Sequence, residues 1–430
     1  MSSGGNGPRL PFFYGWVVVA GAAVNASFVL GSAQFALSTF LVPMEEELGW
    51  SRAVFFGGLS IRYLLAGMLG PVVGPLADRL RAPRIVLPTG VLVLGGTLSS
   101  IRWVDHPLWF LMAYGVLGAL ATALLNLTMW EAVILKWFSR RRTQALIMGS
   151  IGEASGPLIF PLLITSLVSL FGWRDAWLWY GVITVVVLLP FTLAVKTRPE
   201  QVGQHLDGAT SEASAAPTPE TAESQPTGEA SFTRPEALRT RSFWLLASTF
   251  TLSGVVITGF QAQWIPHFRD IGYSAAVAAG AVSTYGALNI VSRVLWGTLA
   301  GRFELRLLMT SHAVAAAAGV AFLLFFVTNT ATLFAWAAYQ GLVLGSFFPL
   351  HSLLSTEYFG RAHIGAIRGT MMPPSSVSRS AGALLLGGLR DLRGSYTLSF
   401  GLVLGGWVLM AAAMLFSRRP QTPASREAAG

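Results

Sequence analysis

The sequence predicts an all-α membrane protein: twelve transmembrane helices in two pseudo-symmetric six-helix bundles. Three observations lead there, namely apolar runs of spanning length, a deficit of charge and an internal repeat. Of 430 residues, 53% are hydrophobic and only 11% charged, whereas an average soluble domain is ~25% charged. So few charges cannot cover a water-facing surface of this size. Each apolar run approaches the ~20 residues that a helix needs to cross a bilayer. A buried helix of a soluble protein can imitate one such run, but not twelve.

The first run follows a short polar stretch, Met1 to Arg9, with no small-residue cleavage pattern behind it. It reads as a span rather than a removed signal peptide. Spans are predicted at 14–42, 52–76, 85–103, 107–135, 143–171 and 174–195, then at 242–266, 275–300, 307–327, 331–353, 364–388 and 394–416. Residues 197–241 are rich in Pro, Ser, Thr, Ala and Glu and poor in large apolar residues. Such a segment buries too little surface to offset its ordering entropy. The chain therefore divides into a bundle at 1–196, a disordered linker at 197–241, a second bundle at 242–417 and a tail at 418–430.

Orientation follows from the loop Lys and Arg residues. With the N-terminus inside, 20 of the 29 fall on the cytoplasmic side, six outside, and three (Arg62, Arg293 and Arg379) within spans. Both termini and the linker are expected in the cytoplasm, in the inner (plasma) membrane of the cell. The net charge of +9 is spread over loops, which excludes a nucleic-acid surface. The absence of cysteine removes disulfides and thiolate metal sites.

The repeat appears on shifting the chain by 223 residues. Gly31 then falls on Gly254, Pro43 on Pro266, Gly49 on Gly272, Ser51 on Ser274, Gly74 on Gly297 and Arg79 on Arg302. Two like-oriented six-helix halves form a duplication, an architecture that places a ligand site near the bilayer midplane between the halves.

Between the second and third spans stands Gly74-Pro75-Leu76-Ala77-Asp78-Arg79, followed by Arg81 and Arg84; a degraded copy runs from Gly297 to Arg302. This resembles the loop signature of the major facilitator superfamily. Gly49-Trp50-Ser51-Arg52, Trp137-Phe138 with Arg140 to Arg142, Gly172-Trp173-Arg174 and Tyr358-Phe359-Gly360 look like its monocarboxylate porter and oxalate:formate antiporter-like branch. The resemblance covers about residues 12–416 without the linker. It implies a secondary active transporter of a small organic anion working by alternating access. The substrate would be a monocarboxylate or related carboxylate, with protons or a counter-anion as coupled partner, the lipid bilayer as surroundings and a monomer as working unit. Two departures stand out: Arg81 occupies the signature's usual glycine, and Gly301 stands where Asp78 predicts an acid. The signature residues Asp78, Arg79, Arg84 and Arg302 are expected to gate the cytoplasmic face.

A charge inside the membrane costs at least ~2.5 kcal/mol on insertion scales, so it faces a cavity or a partner. Arginine cannot discharge itself, and its fork matches a carboxylate. In the resembled branch an arginine of the eighth span and a cation of the eleventh bind the substrate carboxylate; Arg293 and Arg379 stand there. Arg62 is a third candidate, supplying a cation from the opposite half. The structural alternative is pairing of these arginines with Glu131 or Glu153. Glu153, mid-span, is either a proton carrier or half of a permanent ion pair. Glu131 is a second coupling candidate, although its nearness to Lys136 suggests an interfacial pair. Asn289 lies one turn before Arg293 on the same face, where proton-coupled relatives often carry an acid; an amide carries no proton. Gln34 and Asn126 either bond substrate or join helices.

No His-Glu-x-x-His, Gly-x-Ser-x-Gly or Gly-x4-Gly-Lys motif is present, which argues against an intramembrane enzyme and an ATP-driven pump. No cofactor is expected. A sensor would need an output domain, and a multidrug exporter would favour an aromatic, acid-bearing cavity over arginines.

Overall fold

The computed structural model describes residues 12–73, 82–139, 141–205, 207, 232–360 and 363–420. Among them ten stretches are long and apolar enough to cross a membrane. The N-terminal half contains α1 (Gly15–Leu48), α2 (Arg52–Val73), α3 (Ala82–Ser100) and α4 (Pro107–Leu135). The run Arg142–Leu193 is two spans, α5 before and α6 after Gly172, where φ is 73°. Glycine reaches that conformation without steric cost. The C-terminal half contains α7 (Arg241–Ala262), α8 (Ala275–Ala300), α9 (Leu305–Phe326), α10 (Thr330–Phe359), α11 (Met372–Arg393) and α12 (Thr397–Phe416). α11 is absent from the apolar ten because serines and Arg379 occupy much of it. It completes twelve spans, as the sequence predicts.

The duplication is visible in backbone detail. Gly31 and Gly254 each open a π-helical turn, Gly31–Phe35 in α1 and Gly254–Gly259 in α7. Gly49 and Gly272 both adopt positive φ, 67° and 97°, where the chain leaves those helices. α4 breaks at Asn126 and α10 at Gly345 and Ser346.

Small residues set the helix spacing. Gly152 of α5 lies on the backbone of Ala23 in α1, and Gly341 and Gly345 of α10 face the carbonyls of Tyr285 and Asn289 in α8. The bundles meet along α2 with α11 and α5 with α8. Midway along the first seam, Ser60 and Ser380 each donate a hydroxyl to the other's carbonyl. Large apolar side chains such as Leu170, Val294 and Leu409 remain on the outside, which suits lipid and not water.

Both ends of the segment 197–241 are folded, so the expected disordered stretch is too long at each end. Pro199–Val202 forms a 3-10 turn, and Gln201 bonds Thr197 and Arg84. The short helix Arg234–Leu238 is capped by Glu236, which accepts from Thr233 N; that bond holds the Glu236 carboxyl below its ordinary range. Phe232 is buried, and its N–H donates to the Phe359 carbonyl. Local capping and one buried aromatic outweigh the polar composition here. Residue 206 and residues 208–231 lie outside the described part.

Gly341→Leu should force α8 and α10 apart, at a cost of about 1–3 kcal/mol. Gly297→Leu places the same bulk where no atom lies within 4 Å. Thermal unfolding in detergent should show a clear loss for the first and none for the second; equal behaviour would contradict backbone contact between α8 and α10.

Candidate functional site

Between the bundles lies a cavity of about 380 Å³. The N-terminal bundle contributes Gln34 of α1, Tyr63 of α2 and Glu153 of α5. The C-terminal bundle contributes Gln261 of α7, then Tyr285, Asn289 and Arg293 of α8 and Arg379 of α11. The three α8 residues recur every fourth position, which puts them on one helix face.

One polar chain joins the bundles across this space. Gln34 Nε2 donates to Gln261 Oε1 at 3.0 Å. Gln261 Nε2 and Asn289 Nδ2 both donate to the Tyr285 hydroxyl, at 2.6 and 2.9 Å. Tyr63 donates to Gln34 Oε1 at 3.2 Å. Arg293 and Arg379 take no part: the Nε of each is buried and has no hydrogen-bond partner among the described residues. Arg379 stacks over Phe348, 5.4 Å from the ring centre. Among the described residues no carboxylate lies within ion-pair distance of either guanidinium, although both charges act on Glu153.

The sequence expectation of cations from opposing halves does not match this geometry. Arg293 and Arg379 both belong to the C-terminal bundle, and the N-terminal bundle brings the acid Glu153. Arg62 points into its own bundle, outside the cavity lining. Its Nε donates to Thr122 at 2.9 Å, NH2 to the Ser32 hydroxyl at 2.9 Å, and the guanidinium lies 5.3 Å from the centre of the Tyr114 ring. Asn126 is exposed at the break in α4, also outside the lining. Glu131 is half-buried, outside the lining, and near enough to Glu153 for their charges to interact. Its expected pair with Lys136 is absent among the described residues, and Lys136 Nζ has no partner there. Arg84 bonds Gln201, and Arg302 is exposed just past α8. Both stand on the face that carries the chain ends. Asp78 and Arg79 lie outside the described residues.

At the opposite face lies a charged hub that was not foreseen from the sequence. Arg52, only 2% exposed, uses all five of its N–H groups. Nε and NH2 hold Glu45, NH1 and NH2 hold Asp270 at 2.8 and 2.6 Å, and NH1 also reaches the Tyr396 hydroxyl. Arg390 is a second cation on Asp270, donating to Oδ2 from Nε at 3.2 Å and from NH2 at 3.1 Å. Asp391 accepts from Ala53 N. These bonds tie α1 and α2 to the helix Trp264–Asp270 that follows α7, to α11 and to Tyr396 at the head of α12, so they join the two bundles at that face. The available signal was five charged residues at neighbouring span ends, Glu45, Arg52, Asp270, Arg390 and Asp391, of which only the arginines bear on topology.

A mid-membrane cavity between duplicated six-helix bundles, bolted by charge at one end, defines a multi-pass transporter and not an enzyme. The chain belongs to the Major Facilitator Superfamily, whose family model matches residues 23–326. Monocarboxylate transporter 13 of Rattus norvegicus is 26% identical over 94% of this chain and 89% of its own length. The oxalate:formate antiporter of Oxalobacter formigenes is 23% identical over 66% of this chain and 63% of its own. The fold is shared with a bacterial homologue of the human lysosomal transporter Spinster in an inward-facing, occupied conformation, at TM-score 0.65 and 13% identity over 95% of both chains.

Arg52→Gln leaves Glu45 and Asp270 facing each other without their shared cation. The cavity should then open toward that face. The chain has no cysteine, so a single cysteine placed at Ile257 in the lining reports access without background. Labelling by a membrane-impermeant thiol reagent from that face should rise several-fold; an unchanged rate would show that the hub is no gate.

Proposed function

We propose that the protein is a secondary active transporter of a small carboxylate, with Arg293 and Arg379 as the carboxylate's anchors. The observation that carries this reading is the pair of guanidiniums facing one cavity, each with an unpartnered buried Nε. Unpaired donors in such a place are costly, and a carboxylate satisfies a guanidinium in two parallel bonds. The volume suits a small organic acid. Similarity to the monocarboxylate transporter and to the oxalate:formate antiporter supports the same class. Gln34 and Asn289 would orient the rest of the molecule. The monomer is the working unit in this reading. Its termini, with Arg84, Arg302 and the signature residues Asp78 and Arg79, face the cytoplasm across the inner membrane, as the distribution of loop arginines supports.

Coupling follows from competition. Glu153 and the substrate carboxylate seek the same two cations. An entering anion takes their field, and Glu153, deprived of counter-charge, accepts a proton. Glu131 lies behind it and would pass that proton on. Anion exchange is the second reading; Asn289, an amide where proton-coupled relatives often carry an acid, favours it. A multidrug exporter fits poorly with two unpaired cations.

Arg293→Lys keeps the charge and loses the fork, so equilibrium binding of monocarboxylates to purified protein should weaken by ~10-fold or more. Near wild-type affinity would remove Arg293 from the site. Glu153→Gln separates the two readings. In liposomes it should abolish stimulation by an imposed proton gradient and preserve exchange of labelled for unlabelled substrate. Full gradient-driven uptake by this variant would make Glu153 structural.

A further inference from the structure

At the face of the chain ends, the start of α7 and the end of α12 are tied together: the Ser242 hydroxyl donates to the Arg418 carbonyl. Around this tie is a recess of about 530 Å³ with Arg239, Arg241, Arg418 and Arg419 on its walls. Among the described residues none of the four has an acid within ion-pair distance. Glu236, whose charge interacts with Arg239, is already bonded to Thr233 N. The first turn of α7 contains no acid, so the positive end of its helix dipole adds to the field. All four are exposed, so their charges are open to an anion arriving from the membrane surface, and they repel one another less once it lies among them.

Beside the same turn runs an apolar groove of about 610 Å³, walled by Phe243, Trp244, Ala247 and Leu252 of α7 and Pro374 of α11. Trp244 Nε1 donates to the Leu238 carbonyl at 2.9 Å, which holds the short helix Arg234–Leu238 over the groove's head. From Phe243 to Leu252 the helix rises ~14 Å, about half of a ~30 Å hydrocarbon core. That is the depth one acyl chain occupies in one leaflet. Arg241 and Trp244 are three residues apart, so recess and groove share one helical turn.

We propose that this is a binding site for an anionic phospholipid, with the phosphate among the four arginines and one acyl chain in the groove. A soluble anion would have no use for the groove, and an uncharged lipid none for the arginines. The lipid would bridge the end of the linker, the start of α7 and the tail behind α12, bracing the C-terminal bundle. The site is separate from the substrate cavity and does not rest on the function proposed for it.

The test is native mass spectrometry of delipidated protein titrated with phosphatidylglycerol or phosphatidylcholine. The full-length protein should retain phosphatidylglycerol in preference. The quadruple variant R239Q/R241Q/R418Q/R419Q should lose that preference, with retention falling ~10-fold or more. Ser248→Trp, which fills the groove and touches no arginine, should weaken phosphatidylglycerol retention while the protein still binds glycerol phosphate. Undiminished retention in either variant would overturn the proposal. So would displacement of phosphatidylglycerol by an equal concentration of glycerol phosphate, which would reveal a soluble-anion site.

Discussion

A guanidinium inside a membrane cannot lose its proton, and desolvating it costs several kcal/mol unless partners compensate. The arrangement of this protein follows from how its deeply placed arginines are compensated. Arg62 is fully buried and takes hydroxyls, a carbonyl and a ring, with no acid among its bonding partners. The π-helical turn Gly31–Phe35 makes this feasible. It presents the Ser32 carbonyl and hydroxyl to Arg62, while Tyr114 bonds the carbonyls of Ser32 and Ala33. α1, α2 and α4 are thereby locked around one cation. The residues beyond that knot, Gln34 and Tyr63, are turned onto the cavity wall. Arg293 and Arg379 each keep a buried Nε without a partner among the described residues, Arg379 having only the ring of Phe348, and the cavity exists where they are.

The spans and the duplication were legible in the sequence, because each depends on composition, period or spacing along one chain; that Arg293 and Arg379 fall within spans was legible in the same way, while their role came from the family resemblance. The role of Arg62 was not legible. A single sequence places a charge at a depth in the membrane, but the direction in which its helix face points is set by neighbours. Arg62 and Tyr63 are adjacent, yet one faces its own bundle and the other the cavity. The same limit explains Asn126, whose helix breaks beneath it. It also explains the hub at Arg52, whose partners come from residues as distant as Tyr396. The folded ends of the linker were readable in part: Thr233 and Glu236 have capping-box spacing, a signal that the overall composition of 197–241 conceals.

The duplication is kept in the outline of the backbone and broken in charge. Glu47 and Asp270 stand 223 residues apart, the offset of the repeat. Glu47 stays within its bundle, accepting from Trp173 Nε1 and Arg174. Asp270 reaches across to Arg52 in the other bundle and is steadied by Arg390 in its own. One copy of the acid became internal bracing and the other a link between halves. The cavity is divided in the same manner, with an acid on one bundle and two cations on the other. Such asymmetry makes the attraction between the halves depend on what lies between them.

Arg52 and Arg62 are both buried, and the difference between them separates a link between bundles from a strut within one. The side chain of Arg52 is 2% exposed, but its partners Glu45 and Asp270 are each 25% exposed. Water already reaches both carboxylates, so the bonds around Arg52 lie at an edge that water can enter. Arg62 is 0% exposed, its contacts lie within one bundle, and opening them would leave a bare cation in an apolar core. The first set of bonds lies between the bundles, whereas the second lies within one. The fully dehydrated cation is therefore held inside one bundle, and the ion pairs between bundles stand where water reaches their acids.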